Sequence, residues 1–340
     1  MDERIIWCDA ATLTVEGRGW DDTESFYYRL PTRAKPLVND TVWKLASNSA
    51  GMVIRFVTDA PDVKIRWKLT DALHSLNHMA ETGVSGVDVY LRYQGSWQWL
   101  AVGRPSEQEN ETTASCGLPA EEREYALHLP LYNGVSSVEI GVAENAALRP
   151  APPRTHPIKP VVFYGTSIVQ GGCASRPGMA YPSIIGRRLD IPTINLGFSG
   201  SGRCEHEVAD LLAELDPSAY VIDPLANMPV DTVDDHIRYL LNALTVSHPD
   251  TPVVLVEHMI FPGVFDQEKM REIARSWNSI LETIYQDFAP KWNGRLYYVS
   301  SETMLGSDRE ATVDGTHPTD VGFLRIAEVM TPAVEKALGI

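Results

Sequence analysis

The chain has 340 residues, enough for two domains that each bury a core. Its composition, 44% hydrophobic and 22% charged, is that of a globular protein and excludes a disordered one. A formal net charge of −16 excludes nucleic acid as the natural partner, because its phosphates would be repelled.

The opening Met1-Asp2-Glu3-Arg4-Ile5-Ile6-Trp7 has no charged segment followed by an apolar one, and no apolar run approaches a membrane span. Both features point to a cytoplasmic protein with no membrane partner. Cys8, Cys116, Cys173 and Cys204 form no Cys-x-x-Cys pair and read as free thiols.

Up to about residue 150 the pattern is β. The run 63–69 alternates apolar and basic residues, which predicts a strand with one dry face. Further strands are predicted at 51–57, 87–93, 97–102, 125–129 and 138–142, separated by turn-like stretches such as Gln94-Gly95-Ser96. Many short strands without helical periodicity predict a jelly-roll-like β-sandwich over 1–150. The proline-rich stretch 151–157 reads as a stiff linker, and 158–340 as a second domain.

In that second domain strands alternate with helices. Strands are predicted at 161–164, 193–196, 220–222, 253–256 and 296–299. Helices fall at 179–189, 205–215, 233–246 and 321–338, with another whose apolar face is Ile273, Trp277, Ile280, Leu281, Ile284 and Phe288. Such alternation makes an α/β fold: a five-stranded parallel sheet covered by helices, with its site at the carboxyl ends of the strands.

Ser167 follows the first of these strands in Tyr164-Gly165-Thr166-Ser167, where an α/β enzyme places a nucleophile; taken alone it is equally a turn or capping serine. Far downstream, Asp314-Gly315-Thr316-His317-Pro318 offers a base and a carboxylate three residues apart. The carboxylate fixes one ring nitrogen and leaves the other for the serine. By itself that segment also reads as a turn before a helix. Two strand-end loops offer oxyanion donors, though each is also ordinary loop chemistry by itself: the glycine-rich 195–202, containing Gly200, and Leu225-Ala226-Asn227-Met228, containing Asn227.

Ser167, Gly200, Asn227 and His317, each after a predicted strand, resemble the four signature blocks of the SGNH hydrolases, also called GDSL-type esterases and lipases. Gly86-Val87-Asp88-Val89-Tyr90 is similar to the Gly-x-Asp-Leu-Tyr motif of a β-sandwich module that precedes one SGNH branch, and 171–180 looks like that branch's continuation after the nucleophile. The resemblance implies a flavodoxin-like catalytic domain, Ser167 as nucleophile, His317 as base held by Asp314, and Ser167, Gly200 and Asn227 as oxyanion donors. It implies no metal and no cofactor. Two positions depart from the pattern: Thr166 stands where the superfamily has aspartate, and Met228 follows Asn227 where an acidic residue is usual.

In function, the resemblance implies a serine esterase removing acetyl or other short acyl groups from a carbohydrate, with a small-molecule or oligosaccharide ester as partner and homo-oligomer formation left open. A thioesterase or lysophospholipase with the same triad, and a catalytically silent carbohydrate-binding protein, are the alternatives. Glu257, Arg176 and Met79 are candidate pocket residues, Met79 because the loop 69–86 is long enough to lean over the site; Arg176 reads equally as tying down its own loop, and Glu257 as a structural strand-end residue. His74 and His78 have helical metal-ligand spacing but no third ligand in view, and read as a surface loop. Trp97 and Trp99 read as core, or as a platform for a sugar.

Overall fold

The structure, a computed structural model, describes residues 4–154, 159–260 and 268–340. The first half contributes β1 (Ile5–Asp9), β2 (Thr14–Glu16), helix α1 (Asp40–Ala46), β3 (Val53–Thr58), β4 (Val63–Leu69), α2 (Glu81–Val84) and β5 (Val87–Tyr93). It continues with β6 (Ser96–Gly103), β7 (Glu109–Ser115), β8 (Arg123–His128), β9 (Val135–Ala143) and β10 (Leu148–Pro150). One sheet has the order β1-β9-β4-β7; the other runs β10-β3-β8-β5-β6, with β2 beside β3. Every pairing in both is antiparallel.

Alternation decides which face of β4 is dry. Val63, Ile65, Trp67 and Leu69 are buried, while Arg66 and Lys68 face out and pair with Glu111 and Glu109 of β7. The inward set meets Ile54, Phe56, Val89, Tyr125 and Leu127 of the other sheet in one core, so the two sheets form a sandwich. β7 lies at a sheet edge, paired only with β4 and mostly polar, so it carries no alternation to find.

The chain between β2 and β3 leaves the sandwich. Asn39 caps α1 by accepting from the Val42 N–H at 2.9 Å. Trp20, Leu30, Val38, Val42 and Ala46 then pack with Ile194, Leu196, Phe198, Val208 and Leu212 of the second half. A composition-based boundary at 150 cannot register this excursion, which completes the core of the second half from within the first.

The second half contains β11 (Val161–Gly165), α3 (Ser167–Gln170), α4 (Tyr181–Leu189), β12 (Thr193–Gly197), α5 (His206–Leu212), β13 (Ala219–Asp223), α6 (Val233–Ser247) and β14 (Val253–Val256). Then come α7 (Glu268–Phe288), β15 (Leu296–Val299) and α8 (Asp320–Leu338). The five strands are parallel in the order β12-β11-β13-β14-β15, the flavodoxin-like order. Val161 and Phe163 face the core shared with α4 and α8, and Val162 and Tyr164 the core shared with α5, α6 and α7. Both faces are dry, which is why these strands read as continuous apolar runs. The chain leaves β11 for β12 on one side and later returns to β13 on the other. This reversal opens a crevice beyond the carboxyl end of β11.

Residues 155–157 of the predicted linker lie outside the described residues. The stretch before them is anchored: the Pro152 carbonyl accepts from Arg55, and Arg154 pairs with Glu16 and Asp190, one from each half. Among the described residues no helix is long and apolar enough to cross a membrane.

Candidate active site

β11 ends at Gly165, which sits so close to its neighbour that a Cβ there would lie 2.2 Å from the Asp223 carbonyl oxygen. Thr166 then caps α3, its hydroxyl accepting from the Ile168 N–H at 3.2 Å. Where the superfamily has a carboxylate, threonine thus supplies the cap. Ser167 is the first residue of α3, where its N–H has no acceptor within the helix. Its carbonyl is held by the Gly171 and Gly172 N–H groups at 2.9 and 2.7 Å and by the Tyr132 hydroxyl at 3.3 Å. The tip of β11 is therefore fixed from both halves of the chain.

His317 Nε2 lies 2.9 Å from Ser167 Oγ, and His317 Nδ1 lies 2.7 Å from Asp314 Oδ2, across 150 residues of sequence. The segment that presents them is a closed turn: Val313 N–H donates to the His317 carbonyl at 2.8 Å and Thr319 N–H to that of Ala311 at 2.8 Å. Asp314 Oδ1 accepts from the Thr316 and His317 N–H groups at 2.9 and 2.8 Å. Burial alone would raise the Asp314 pKa, but the hydrogen bonds from the backbone and ring of His317 and from Thr316 outweigh it and hold the carboxyl at about 2. Asp314 is thus an anion at any working pH. Gly172 leaves room for the ring, since a Cβ there would sit 3.1 Å from His317 Cδ2.

The glycine loop is built around two buried side chains that no sequence pattern singles out. Gln170 donates to Asn48 Oδ1 at 3.0 Å and to the Leu131 carbonyl at 2.9 Å, and accepts from the Ser199 N–H at 3.0 Å. Arg29, 1% exposed, donates to the carbonyls of Asn195, Gly197, Asn48 and Leu45 and lies over the Phe198 ring. The Ser201 and Gly202 N–H groups are both taken by the Phe198 carbonyl. With its neighbours' N–H groups committed, Gly200 stands exposed at the loop tip with φ of +70°. Asn227 lies in the turn Leu225–Asn227 after β13; its Oδ1 is buried without a partner among the described residues.

Arg176 is committed to the sandwich. Its guanidinium pairs with Asp88 at 2.6 Å and donates to the Tyr90 hydroxyl. Asp88, fully buried, also accepts from Gly178 N–H and from Trp99 Nε1, each at 2.9 Å. The Gly-x-Asp-x-Tyr stretch is thereby the clasp between the sandwich and the segment after α3. Trp97 and Trp99 belong to the same contact: Trp97 packs on the buried Val53, Tyr90 and Ala126 and its Nε1 donates to Asp190 at 3.1 Å, while Trp99 keeps about half its surface exposed and the Arg176 guanidinium lies 5.2 Å from its ring centroid. Asp88→Ala leaves three donors short of an acceptor in a closed interface. It is expected to cost about 2–4 kcal/mol, read as a lowered Tm; a Tm unchanged within 1 °C, roughly 0.7 kcal/mol for this size, would contradict the clasp.

Glu257 is also occupied structurally. It accepts from the Tyr298 hydroxyl at 2.7 Å, the Ser301 N–H at 2.9 Å and the Ser300 and Ser301 hydroxyls, tying the end of β14 to that of β15. The loop 70–86 does lean over the site, but through His78 rather than Met79. Met79 is buried and paired with Leu76, whereas the His78 ring centroid lies 5.3 Å from that of His317.

Asp223 ends β13 level with Gly165. Burial lifts its pKa to about 8 against a hydrogen bond from Tyr181 at 3.2 Å that works the other way. The folded protein keeps this proton up to about pH 8, whereas the unfolded chain releases it near pH 4. Its stabilisation is therefore complete below about pH 4 and lost as pH rises toward 8. Asp223→Asn is expected to raise Tm more at pH 8 than at pH 5; equal shifts would contradict a buried proton.

Residues 158–335 match the profile of the GDSL-like Lipase/Acylhydrolase family, and residues 5–148 match one described as the N-terminus of SGNH-hydrolase-type esterases. A crystal structure from Bacteroides ovatus ATCC 8483, described as GDSL-like, is 35% identical and superposes with a TM-score of 0.92 over 99% of both chains. The salicylyl-acyltransferase of a tetracycline biosynthetic pathway comes next at 18% identity and TM-score 0.78, over 99% of this chain and 98% of that one. A family two carbohydrate esterase from Cellvibrio japonicus is 14% identical at TM-score 0.63 over 99% of each. The last two likenesses establish the fold alone. No curated protein sequence matches the chain. Matched from 158 to 335 and 35% identical to the Bacteroides protein from end to end, this chain belongs to the GDSL-like lipase/acylhydrolase family.

Proposed function

We propose that the protein is a serine esterase that hydrolyses carboxylic esters through an acyl-serine intermediate, removing acetyl groups from a carbohydrate. The observation that carries this reading is the unbroken chain from Asp314 through both nitrogens of His317 to Ser167 Oγ, at 2.7 and 2.9 Å. Asp314 accepts from Nδ1–H, so Nε2 is left as the acceptor of the serine proton.

Ser167 Oγ attacks the ester carbonyl carbon as its proton passes to His317 Nε2, and Asp314 steadies the imidazolium that results. The N–H of Ser167, the N–H of Gly200 and the Asn227 amide then receive the oxyanion; donors fixed before reaction need no reorganisation at that moment. Collapse returns the proton from Nε2 to the leaving alcohol. Water, deprotonated by the same nitrogen, releases the acid. The clasp at Asp88 and the bonds to Arg29 and Gln170 hold the loops, so the sandwich acts as a frame for the site.

A short acyl group suits the confined setting: Ser167 is 6% exposed, and His78 stands over the base. Fold relatives that are carbohydrate esterases, including an acetyl xylan esterase from Butyrivibrio proteoclasticus, support a sugar as the alcohol portion. The test is turnover of p-nitrophenyl acetate against the octanoate and palmitate, then acetate release from acetylated xylo- and cello-oligosaccharides. Acetate preferred by at least about tenfold in kcat/KM, roughly 1.4 kcal/mol, is expected. A preference for the long chains would favour a lysophospholipase-type enzyme instead.

A further inference from the structure

His78 has no third metal ligand within reach of its own segment, but the fold supplies two from elsewhere. His78 comes from the sandwich loop, Cys173 from the turn after α3, and His317 from the segment before α8. One ligand atom of each lies within 4.8 Å of the other two.

The two imidazoles are prepared alike. His78 Nδ1 lies 2.7 Å from Asn77 Oδ1, and His317 Nδ1 lies 2.7 Å from Asp314 Oδ2. Amide and carboxylate oxygens only accept, so each Nδ1 carries the hydrogen and each Nε2 presents a lone pair. An oxygen-held Nδ1–H is also what orients and strengthens histidines that ligate metals. Two imidazole nitrogens and one sulfur form a borderline-soft donor set. It suits Zn²⁺ in a three-ligand site with a fourth position open. Bonds of about 2.0–2.3 Å require the three atoms to close in by roughly 1 Å, within reach of side-chain rotation.

We propose that His78, Cys173 and His317 bind Zn²⁺, and that zinc thereby inhibits the esterase by occupying the Nε2 lone pair otherwise offered to Ser167. Coordination exchanges the Cys173 S–H bond for a Zn–S bond and releases one proton to solvent. The imidazoles, already neutral, release none. The Ser167 hydroxyl loses its acceptor. The inhibition rests on the reading of His317 as the base, whereas the binding does not.

The experiment titrates the metal-free protein with Co²⁺ as a coloured stand-in, displaces it with Zn²⁺, and assays p-nitrophenyl acetate hydrolysis in the same solutions. One equivalent of cobalt with a thiolate charge-transfer band is expected, displaced by zinc over the range in which activity falls, with recovery on chelation. Cys173→Ser and His78→Ala should each weaken zinc binding by at least about tenfold and shift the inhibition midpoint equally. His206→Ala, in the separate cluster of His206, Asp235 and His236, should change neither. Absence of the thiolate band, or an inhibition midpoint unmoved by both substitutions, overturns the site. Thiolate-bound metal in a protein with no esterase activity when metal-free would instead overturn the esterase reading and leave the metal site standing.

Discussion

Ser167→Ala is expected to lower kcat/KM toward p-nitrophenyl acetate by roughly 10⁴-fold or more while Tm moves by no more than about a degree, a shift of about 0.7 kcal/mol or less. The two halves of this expectation have separate causes. The hydroxyl is the only atom removed, and its partner is the half-buried ring of His317, which Asp314 still holds through Nδ1. The Ser167 carbonyl, which secures the turn through Gly171, Gly172 and Tyr132, is untouched. Chemistry by contrast loses the atom that forms the acyl bond. His317→Ala should fall by a similar factor, because members of such a unit act together and their losses do not add. Residual turnover within about tenfold of wild type in either variant would mean that another group attacks the ester.

Arg29→Met should have the largest effect on stability, on the order of 3–5 kcal/mol, seen as a drop in Tm of about 4–7 °C. Methionine keeps much of the volume but none of the donors, so four carbonyls in a dry interface lose their partner. Burial draws the guanidinium pKa down to about 9, which still leaves it charged at neutral pH. The Asn195 and Gly197 carbonyls begin the loop that carries Gly200, so kcat should fall further than the unfolded fraction explains. Arg29→Lys separates charge from geometry: it restores a cation without the planar fork, and only part of the stability should return. A Tm within about 1 °C of wild type for Arg29→Met, less than about 1 kcal/mol, would refute this role.

The parallel sheet was legible because its strands are buried on both faces and its longest helices, α6, α7 and α8, show a period. Strands at 253–256 and 296–299 match the sequence reading residue for residue, as does β4 in the sandwich. What escaped was short or polar. β1, β2, β7 and β10 lie at or near sheet edges, and α1 has only seven residues, too few to display a periodic face. The meeting of Ser167, Asp314 and His317 was also legible, because a strand-end serine and an Asp-x-x-His segment, each ambiguous alone, together supply nucleophile, base and carboxylate. Arg29, Gln170 and the Asp88 clasp were not. A buried arginine that bonds only to carbonyls leaves no trace in a sequence, since its partners are backbone atoms of residues 16 to 168 positions away. For Arg176 and Glu257 the sequence leaves pocket and structural roles both open, for the complementary reason: position at a strand end or motif loop does not reveal which internal acceptor or donor a charged group has found.

The most direct test of the central claim is reaction with a fluorophosphonate, which forms an adduct only with an activated hydroxyl, and then peptide mapping. One adduct per chain on Ser167, lost in His317→Ala and unaffected by Thr166→Ser, is the predicted result. A folded protein that takes up no label, or takes it up at a residue other than Ser167, would contradict it.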